Sequence, residues 1–298
     1  MLKVIGAGAI GMLLSAYLTD AGMQVQLVTR RQEQADSISH FGLTLIRGEE
    51  KSLFPLFAST NVDQAINDQL YIIAVKSYDL KGLNSLLSKI DVHTPLLFVQ
   101  NGLAHLEYAS EIPHQNIAFG SVEHGAFKID DHTVQHTGSG LLRLAMFRGD
   151  WSKYKHLLKA DSVDFPIKIE ENAEKMLLRK AILNSLVNPL TAILQVENGA
   201  LLKSESLQLL ETLYGEIITV FPEMSDSVTF EDVLNLCERT AENRSSMLSD
   251  RLAGRKTEAD AITGALLRMA QQRNMQLPSI RVLHSLIKAI EEGDSLNG

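Results

Sequence analysis

The apolar residues of this chain change their spacing about halfway along it. In the first half, Leu70–Val75 and Pro95–Val99 are continuous apolar runs, Leu2–Ile5 is a shorter one, and Val25–Val28 reads as a further strand. Such runs are typical of parallel strands that are buried on both faces of a sheet. Beyond Pro166 the apolar residues recur at helical spacing to the end of the chain. We therefore predict an α/β domain over residues 1–167, followed by an all-helical domain over residues 168–298.

One predicted helix, Arg179–Asn198, is apolar around most of its circumference. Three polar residues interrupt it at every fourth position, namely Lys180, Asn184 and Asn188. Because an α-helix has 3.6 residues per turn, these side chains stack on one face. A buried polar group without a partner costs roughly 1–3 kcal/mol, so this face needs partners. A substrate that carries oxygen atoms and a structural network are both possible sources, and the helix alone leaves the two open.

A glycine-rich turn follows the first predicted strand and precedes a helical pattern. It has the form G-x-G-x-x-G and consists of Gly6, Ala7, Gly8, Ala9, Ile10 and Gly11. The first glycine permits a tight turn, the second lets the backbone approach a pyrophosphate, and the third lets helix and strand pack closely. The helix N-terminus favours the phosphates. Strand, turn and helix in this order predict a dinucleotide-binding site.

The residues after the second strand indicate which dinucleotide binds. An acidic residue at this point binds a ribose 2′-hydroxyl, whereas an arginine accommodates a 2′-phosphate. This chain has Thr29-Arg30-Arg31, and the nearest acid is Glu33. We therefore predict NADP(H) as the cofactor, with Arg30 beside its 2′-phosphate. The alternative is that both arginines are solvated surface charges.

Two further polar residues lie just beyond predicted strands. Lys76 directly follows the run Leu70–Val75, and Asn101 follows the run Pro95–Val99 after one intervening residue. Ligands of open α/β sheets bind beyond the carboxyl ends of the strands, so both side chains are candidates for binding a cofactor or substrate. A surface lysine and an ordinary Asn-Gly turn are the alternatives.

The helical half carries the remaining candidates. Phe230–Asp250 is predicted as one helix, with Asn243, Ser246 and Asp250 on one face. Thr257 is a candidate N-cap for the next helix, an interpretation that makes Glu258 a first-turn acid.

Two histidines, His132 and His136, have the spacing of zinc ligands on a helix, but they lie in a β-like stretch without a third ligand nearby. We interpret both as surface residues and predict no metal site.

Composition narrows the class of protein. The chain has 298 residues, of which 45% are hydrophobic and 21% charged, as expected for a soluble protein of two domains. Its one cysteine excludes a disulfide framework and suits a reducing cytoplasm. No stretch approaches the roughly 18 apolar residues that span a bilayer. The net charge of −8 gives no general attraction to nucleic acid or anionic membrane. We expect a cytoplasmic protein with no nucleic-acid or membrane partner.

Several stretches together resemble the 2-dehydropantoate 2-reductase family, also called ketopantoate reductases, from end to end. In chain order they are VIGAGAIG, Arg30, AVKSYD, VQNGL, RKAILNSLVNPLTAI, Asn198-Gly199 and NRSSMLSDRLAGRKTEADAITG. The resemblance implies a Rossmann-type NADP(H)-binding domain followed by an all-α catalytic domain. It also implies reduction of 2-dehydropantoate to (R)-pantoate by NADPH, a step on the route to pantothenate and coenzyme A. A monomer and a homodimer both stay open.

The resemblance assigns roles to single residues. The catalytic lysine of the family falls on Lys180, and its acidic partner falls on Glu258. The substrate-binding positions fall on Asn101, Lys180, Asn184, Asn188, Asn198, Ser246 and Glu258. The cofactor positions fall on the glycine-rich turn, Arg30, Lys76 and Asn101. A helix-capping role is the alternative for Asn198.

The residue types suit this chemistry. Reduction of a ketone leaves an alkoxide, which a lysine ammonium can stabilise and protonate. A serine and several asparagines offer neutral hydrogen bonds to the carboxylate and hydroxyl of the substrate. The rival interpretations are an NADP-dependent dehydrogenase of another 2-oxo acid and an NADPH-sensing protein without catalysis.

Overall fold

The computed structural model describes residues 1–61 and 70–296. The chain forms two compact units. The first comprises residues 1–100 and 105–176, and the second comprises residues 101–104 and 177–298. All regular elements in the described part of the second unit are helices. The predicted fold class, an α/β domain followed by an all-α domain, is confirmed.

The first unit contains twelve strands within the described residues. They are β1 (Leu2–Ile5), β2 (Val25–Val28), β3 (Leu43–Arg47), β4 (Glu50–Phe54), β5 (Phe57–Ser59), β6 (Leu70–Ile73), β7 (Leu96–Phe98), β8 (Ile117–Val122), β9 (Gly125–Lys128), β10 (Thr133–Gly138), β11 (Leu142–Arg148) and β12 (Ile167–Glu170). Eight of them form one sheet in the order β12-β11-β8-β7-β6-β1-β2-β5. Its neighbouring strands are parallel except β8 and β11, which pair antiparallel.

The apolar runs of the sequence form the centre of this sheet. Every residue of β1, β6, β7 and β8 is buried. The runs Leu70–Val75 and Pro95–Val99 both contain strands, and each strand is shorter than the run that predicted it. Since the central strands are covered on both faces, their side chains can be apolar at every position. β12 extends the sheet beyond residue 167.

A second sheet, in the order β4-β3-β10-β9, covers the first helix of the chain. Its inner face includes Leu43, Leu45 and Val134, all fully buried. β3 and β10 are parallel, whereas β4 and β9 pair antiparallel with their neighbours.

Ten α-helices accompany the strands in the described residues. They are α1 (Ala9–Asp20), α2 (Gln32–Phe41), α3 (Asn84–Leu87), α4 (Ala104–Glu111), α5 (Ala173–Leu194), α6 (Ser204–Val220), α7 (Phe230–Arg239), α8 (Ser246–Leu252), α9 (Thr263–Gln272) and α10 (Pro278–Leu296). Within residues 1–61 and 70–296, no helix combines the length and the hydropathy needed to cross a bilayer.

The prediction of a single helix over Phe230–Asp250 is wrong, because α7 and α8 divide this segment. Ser245 caps α8 by accepting a hydrogen bond from the Leu248 amide. Thr240 is the C-cap residue of α7, and its hydroxyl donates a hydrogen bond to the carbonyl of Leu236 at 2.6 Å. Asn243 therefore lies in the connection and does not share a helix face with Ser246.

The prediction that Thr257 caps the next helix is also wrong. α9 begins at Thr263, and residues 257–262 form an irregular turn. The hydroxyl of Thr257 accepts a local hydrogen bond from the Ala259 amide at 3.2 Å. The same hydroxyl donates a hydrogen bond to the carboxylate of Glu291, 34 residues further along the chain, at 2.6 Å.

The interpretation as a surface residue is wrong for His136, whose ring is partly buried and hydrogen-bonded through both nitrogens, whereas the side chain of His132 is 30% exposed. Nδ1 of His136 lies 2.8 Å from the Tyr17 hydroxyl on α1, and Nε2 lies 3.0 Å from Nδ1 of His124. Burial lowers the pKa of His136, which favours its neutral form. His132 lies 3.0 Å from the Ser37 hydroxyl. His136 therefore belongs to a link between the second sheet and α1.

Candidate active site

The glycine-rich turn joins β1 to α1, and its geometry requires glycine at two positions. Gly6 has φ +110°, and a Cβ there would lie 2.8 Å from the backbone nitrogen of Val75. A Cβ on Gly11 would lie 1.8 Å from the carbonyl oxygen of Gly6. At Gly8, by contrast, a Cβ would meet no atom within 4 Å, and the residue is exposed. The turn therefore presents bare backbone to solvent at the N-terminus of α1, as a pyrophosphate requires.

A buried glutamine holds this turn in place. The side-chain amide of Gln34, on α2, donates to the carbonyl of Ala7 at 2.9 Å and to that of Asp131 at 3.2 Å. Sequence reasoning missed Gln34. The available signal in the sequence is the pair of apolar residues Ala35 and Ile38, which mark the inner face of an otherwise polar helix beside Gln34.

The two arginines after β2 have different surroundings. Arg31 forms an ion pair with Asp131, which also accepts a hydrogen bond from Lys128 at 3.0 Å. The hydrogen bond from Lys128 and the charge of Arg31 lower the pKa of Asp131. Arg30 is exposed just beyond the end of β2. The structure thus favours Arg30 over Arg31 as the residue that can turn toward an anionic ligand.

A second buried glutamine supports Lys76. The amide of Gln100 donates to the carbonyls of Ile73 and Val75 at 2.7 Å and 3.0 Å. These bonds tie the end of β6 and the residues after it to Gln100, two residues beyond β7, and Lys76 directly follows Val75 in the chain. Lys76 is half-buried. Its place beyond the carboxyl end of a central strand agrees with the sequence-based expectation for a ligand-binding residue.

In the second unit, the polar face of α5 is partly buried. Lys180 and Asn184 are half-buried, and Asn188 is buried. The amide of Asn188 lies 3.4 Å from the hydroxyl of Ser246, the first residue of α8. Ser246 is exposed. Two predicted substrate residues from distant parts of the chain are therefore neighbours.

Glu258 is 5% exposed and hydrogen-bonds to another predicted residue. The side-chain amide of Asn101 donates to its carboxylate at 3.1 Å. Asn101 belongs to the segment 101–104, which the contacts assign to the second unit. The amide of Leu103 donates to the carbonyl of Ala261 at 2.9 Å. This segment therefore packs on the turn that carries Glu258.

Gly102 permits this packing. It has φ +77°, and a Cβ there would lie 2.0 Å from the carbonyl oxygen of Ala261. Any side chain at this position would force the segment away from the Glu258 turn.

Asn198 is buried and only partly satisfied. Its backbone amide donates to the carbonyl of Asn243, and its side-chain amide donates to the Thr240 hydroxyl at 2.8 Å. Its Oδ1 has no hydrogen-bond partner among the described residues. A buried carbonyl oxygen without a donor costs roughly 1–3 kcal/mol. A ligand hydroxyl or a water is the natural partner for this atom.

The loop that leads to Glu258 has its own anchor, which sequence reasoning also missed. Asp250 is buried, and its carboxylate accepts from Nε of Arg255 at 2.9 Å. Its carbonyl accepts from the Arg255 amide at 2.8 Å. The signal in the sequence is an acid and a base five residues apart across a glycine, which suits a closed loop.

Within residues 1–61 and 70–296, no group of three or more His, Cys, Asp or Glu side chains could hold a metal ion.

The glycine-rich turn of the first unit and the polar helix faces of the second define a dinucleotide-dependent oxidoreductase. Residues 3–149 match the family model described as ketopantoate reductase PanE/ApbA, and residues 172–291 match the model of its C-terminal domain. The chain belongs to the ketopantoate reductase PanE/ApbA family.

Individual relatives are similar over nearly the whole chain. A 2-dehydropantoate 2-reductase of Listeria innocua is 37% identical over 292 residues, which cover 97% of this chain and 96% of the relative. A crystal structure of a probable 2-dehydropantoate 2-reductase from Bacillus subtilis superposes with a TM-score of 0.86 at 36% identity, covering 97% of this chain and 99% of that one. A D-mandelate dehydrogenase shares the fold, with a TM-score of 0.83 at 24% identity over 99% of this chain and 100% of that one.

Proposed function

We propose that this chain reduces 2-dehydropantoate to (R)-pantoate with NADPH, on the route to pantothenate and coenzyme A. The observation that carries the proposal is the likeness to 2-dehydropantoate 2-reductases at 36–37% identity over 97% of the chain. Family membership makes the chain an NADP-dependent oxidoreductase. The cytoplasmic location and a monomeric or homodimeric assembly stay predictions of the sequence.

The first unit fits the cofactor. The backbone that Gly6, Gly8 and Gly11 leave open suits a pyrophosphate, and the exposed guanidinium of Arg30 and the ammonium of Lys76 suit a 2′-phosphate. NADPH, when bound, supplies the hydride.

The second unit offers the groups that a 2-oxo acid with a distal hydroxyl needs. We assign to Lys180 the donation of a proton from Nζ to the alkoxide oxygen, and the stabilisation of its negative charge before that transfer. Glu258, fixed by Asn101, orients the lysine or accepts a hydrogen bond from the substrate hydroxyl.

Neutral groups complete the proposed site. Oδ1 of Asn198 is the buried acceptor that lacks a donor, and a substrate hydroxyl would supply one. Ser246 and the amides of Asn184 and Asn188 offer donors to the substrate carboxylate. Sites that pair buried polar atoms with a substrate hydroxyl reject analogues that lack this hydroxyl by large factors.

A substrate panel tests the proposal. NADPH oxidation is followed at about 340 nm with 2-dehydropantoate, pyruvate or 2-oxoisovalerate, and 2-dehydropantoate is also tried with NADH. We expect rapid oxidation only with 2-dehydropantoate and NADPH. Comparable rates with 2-oxoisovalerate would favour a dehydrogenase of other 2-oxo acids. NADPH binding without reduction of any 2-oxo acid would favour a sensing protein.

Replacing Arg30 with alanine is expected to raise the Kd for NADPH about tenfold or more, because a hydrogen bond to a charged group contributes about 1.5–3 kcal/mol. The Kd for NADH, which has no 2′-phosphate, is expected to change less than about twofold. Titration of the quenching of protein fluorescence by each nucleotide measures both constants. Arg31→Ala is the matched control with a smaller expected effect, since Asp131 already engages this arginine. Equal losses for NADPH and NADH in Arg30→Ala would contradict the assignment.

A further inference from the structure

We infer that Glu291, near the end of the last helix, is a positioning residue for Glu258. The inference deepens the proposed function and rests on the role that it gives to Glu258. The residue in direct contact with Glu291 is Thr257, which immediately precedes Glu258 in the chain.

One carboxylate oxygen of Glu291 makes two hydrogen bonds to Thr257. Oε1 accepts from the backbone amide at 2.8 Å and from the hydroxyl at 2.6 Å, across 34 residues of sequence. The side chain of Glu291 is 16% exposed, and Thr257 is 3% exposed. Two bonds from one residue to one acceptor fix both the backbone and the side chain of Thr257.

Thr257 transmits this constraint across Glu258. While its hydroxyl donates to Glu291, the same oxygen accepts from the amide of Ala259 at 3.2 Å. The residues on both sides of Glu258 are therefore tied to one anchor on α10. The carbonyl of Glu258 then accepts from the amides of Ala261 and Ile262, both at 3.0 Å. The turn holds the acid by its backbone, while Asn101 bonds its carboxylate.

A second contact from α10 secures the far side of the turn. Lys288 bonds the other carboxylate oxygen of Glu291 at 2.9 Å and the carboxylate of Asp260 at 3.1 Å. Burial alone would raise the pKa of Glu291, but the hydrogen bonds from Thr257 and Lys288 lower it and keep the carboxylate charged. One turn earlier on the helix, Nδ1 of His284 lies 2.9 Å from the Thr263 hydroxyl.

The contacts between Glu291 and Thr257, which we call the clamp, suit a role in fixing the position of Glu258. Glu258 lies in an irregular turn outside any regular helix, so its backbone depends on a few local hydrogen bonds and on the bonds that hold Thr257. A misplacement of about 1 Å at a reacting centre can cost about a hundredfold in rate. Glu291 limits such movement without any need to touch the substrate itself.

Six single variants and one double variant test the inference, and one of the six, Glu258→Gln, reports on the acid itself. Glu291→Ala removes both bonds to Thr257, whereas Glu291→Gln keeps an oxygen acceptor for them. Thr257→Val removes the hydroxyl at nearly constant volume, and Thr257→Ser retains it. Glu292→Ala removes the same charge from the adjacent, exposed position of α10 and is the matched control.

We expect Glu291→Ala and Thr257→Val to lower kcat for 2-dehydropantoate about tenfold, with the KM for NADPH unchanged. Glu291→Gln and Thr257→Ser retain at least about half of the wild-type kcat, and so does Glu292→Ala. Because both residues act through the same contact, the double variant Glu291→Ala/Thr257→Val is no slower than about the slower single variant.

Amide hydrogen exchange supplies a readout that does not depend on activity. Exchange of the peptide that covers residues 257–262 is expected to quicken in Glu291→Ala and Thr257→Val, and to stay near wild type in Glu291→Gln, Thr257→Ser and Glu292→Ala. Circular dichroism establishes that each variant is folded at the assay temperature. Should Glu291→Ala fail to fold, the pair Thr257→Val and Thr257→Ser carries the test.

The outcomes separate the inference from the proposed function. Wild-type kcat or unchanged exchange in a folded Glu291→Ala overturns the inference, and so does an equal loss in Glu292→Ala. Glu258→Gln, measured in parallel, reports on the acid itself. If this variant keeps wild-type kcat, the role of Glu258 and the inference both fail. If wild-type protein reduces no 2-dehydropantoate, the proposed function fails and hydrogen exchange alone decides on the clamp.

Discussion

Replacing Lys180 with alanine lowers kcat for 2-dehydropantoate by at least about a hundredfold, the low end of the contribution of a general acid. The variant lacks the ammonium that we assign to the alkoxide oxygen. Its affinity for NADPH stays near wild type, because the predicted cofactor contacts all precede α5 in the chain. Steady-state rates near 340 nm measure the first effect, and fluorescence titration with NADPH measures the second.

Two further variants sharpen this experiment. Lys180→Arg keeps the positive charge but is a poor proton donor, because the pKa of a guanidinium lies well above that of an ammonium. It is expected to recover only a small part of the lost kcat if proton donation dominates. Lys175→Ala removes an exposed lysine from the first turns of the same helix and serves as the matched control. Near-normal turnover in Lys180→Ala would refute the assignment.

Replacing Gly102 with alanine is expected to lower kcat/KM on the order of a hundredfold. The new Cβ would lie 2.0 Å from the carbonyl oxygen of Ala261, so the segment 101–104 must move away from the turn that carries Glu258. The bond from Leu103 to Ala261 and the bond from Asn101 to Glu258 are then lost together. Steady-state kinetics and a thermal melt measure the two consequences, lower activity and lower Tm.

Gly22 provides the control, because it separates backbone strain from steric overlap. Its φ of +76° almost equals that of Gly102, but a Cβ there would meet no atom within 4 Å. Gly22→Ala is therefore expected to show only the cost of a left-handed alanine, about 1–2 kcal/mol, with kcat/KM near wild type. If both variants lose activity equally, the overlap with Ala261 is not the cause.

The order of the main strands and helices can be predicted from the sequence because it depends on the local spacing of apolar and turn residues. Leu2–Ile5 and Val25–Val28 are strands with the predicted limits, because each is a short segment of mainly apolar residues that ends close to turn residues or charged residues. The long apolar helix around Lys180 also forms, although it starts earlier and ends at Leu194. The break between α7 and α8 was missed, because apolar spacing continues across it while Ser245 and Thr240 satisfy the helix ends.

The site shows the same limit more sharply. Local sequence treats Arg30 and Arg31 alike, and only Asp131, 100 residues after Arg31, distinguishes them. The local sequence around Thr257 predicts a helix cap, whereas in the structure its hydroxyl donates a hydrogen bond to Glu291. Asn188 and Ser246 are neighbours in space but 58 residues apart in sequence. Only the resemblance of their sequence motifs to the family predicted that they belong to the same site. The sequence shows which residue types are present, whereas the hydrogen-bond partners of a residue that lie far away in sequence are determined by tertiary packing.

The assignment of residues 101–104 to the helical unit has a consequence for recombination between relatives. Residues 1–100 and 105–176 belong to the first unit. The four residues Asn101–Ala104 between them belong to the second unit, together with residues 177–298. A chimera with a single crossover near residue 176 would join an Asn101–Ala104 segment from one parent to a Glu258 turn from the other. We expect functional hybrids of these enzymes to take residues 101–104 and residues 177–298 from the same parent. The part of the chain that must be exchanged together is therefore discontinuous in sequence.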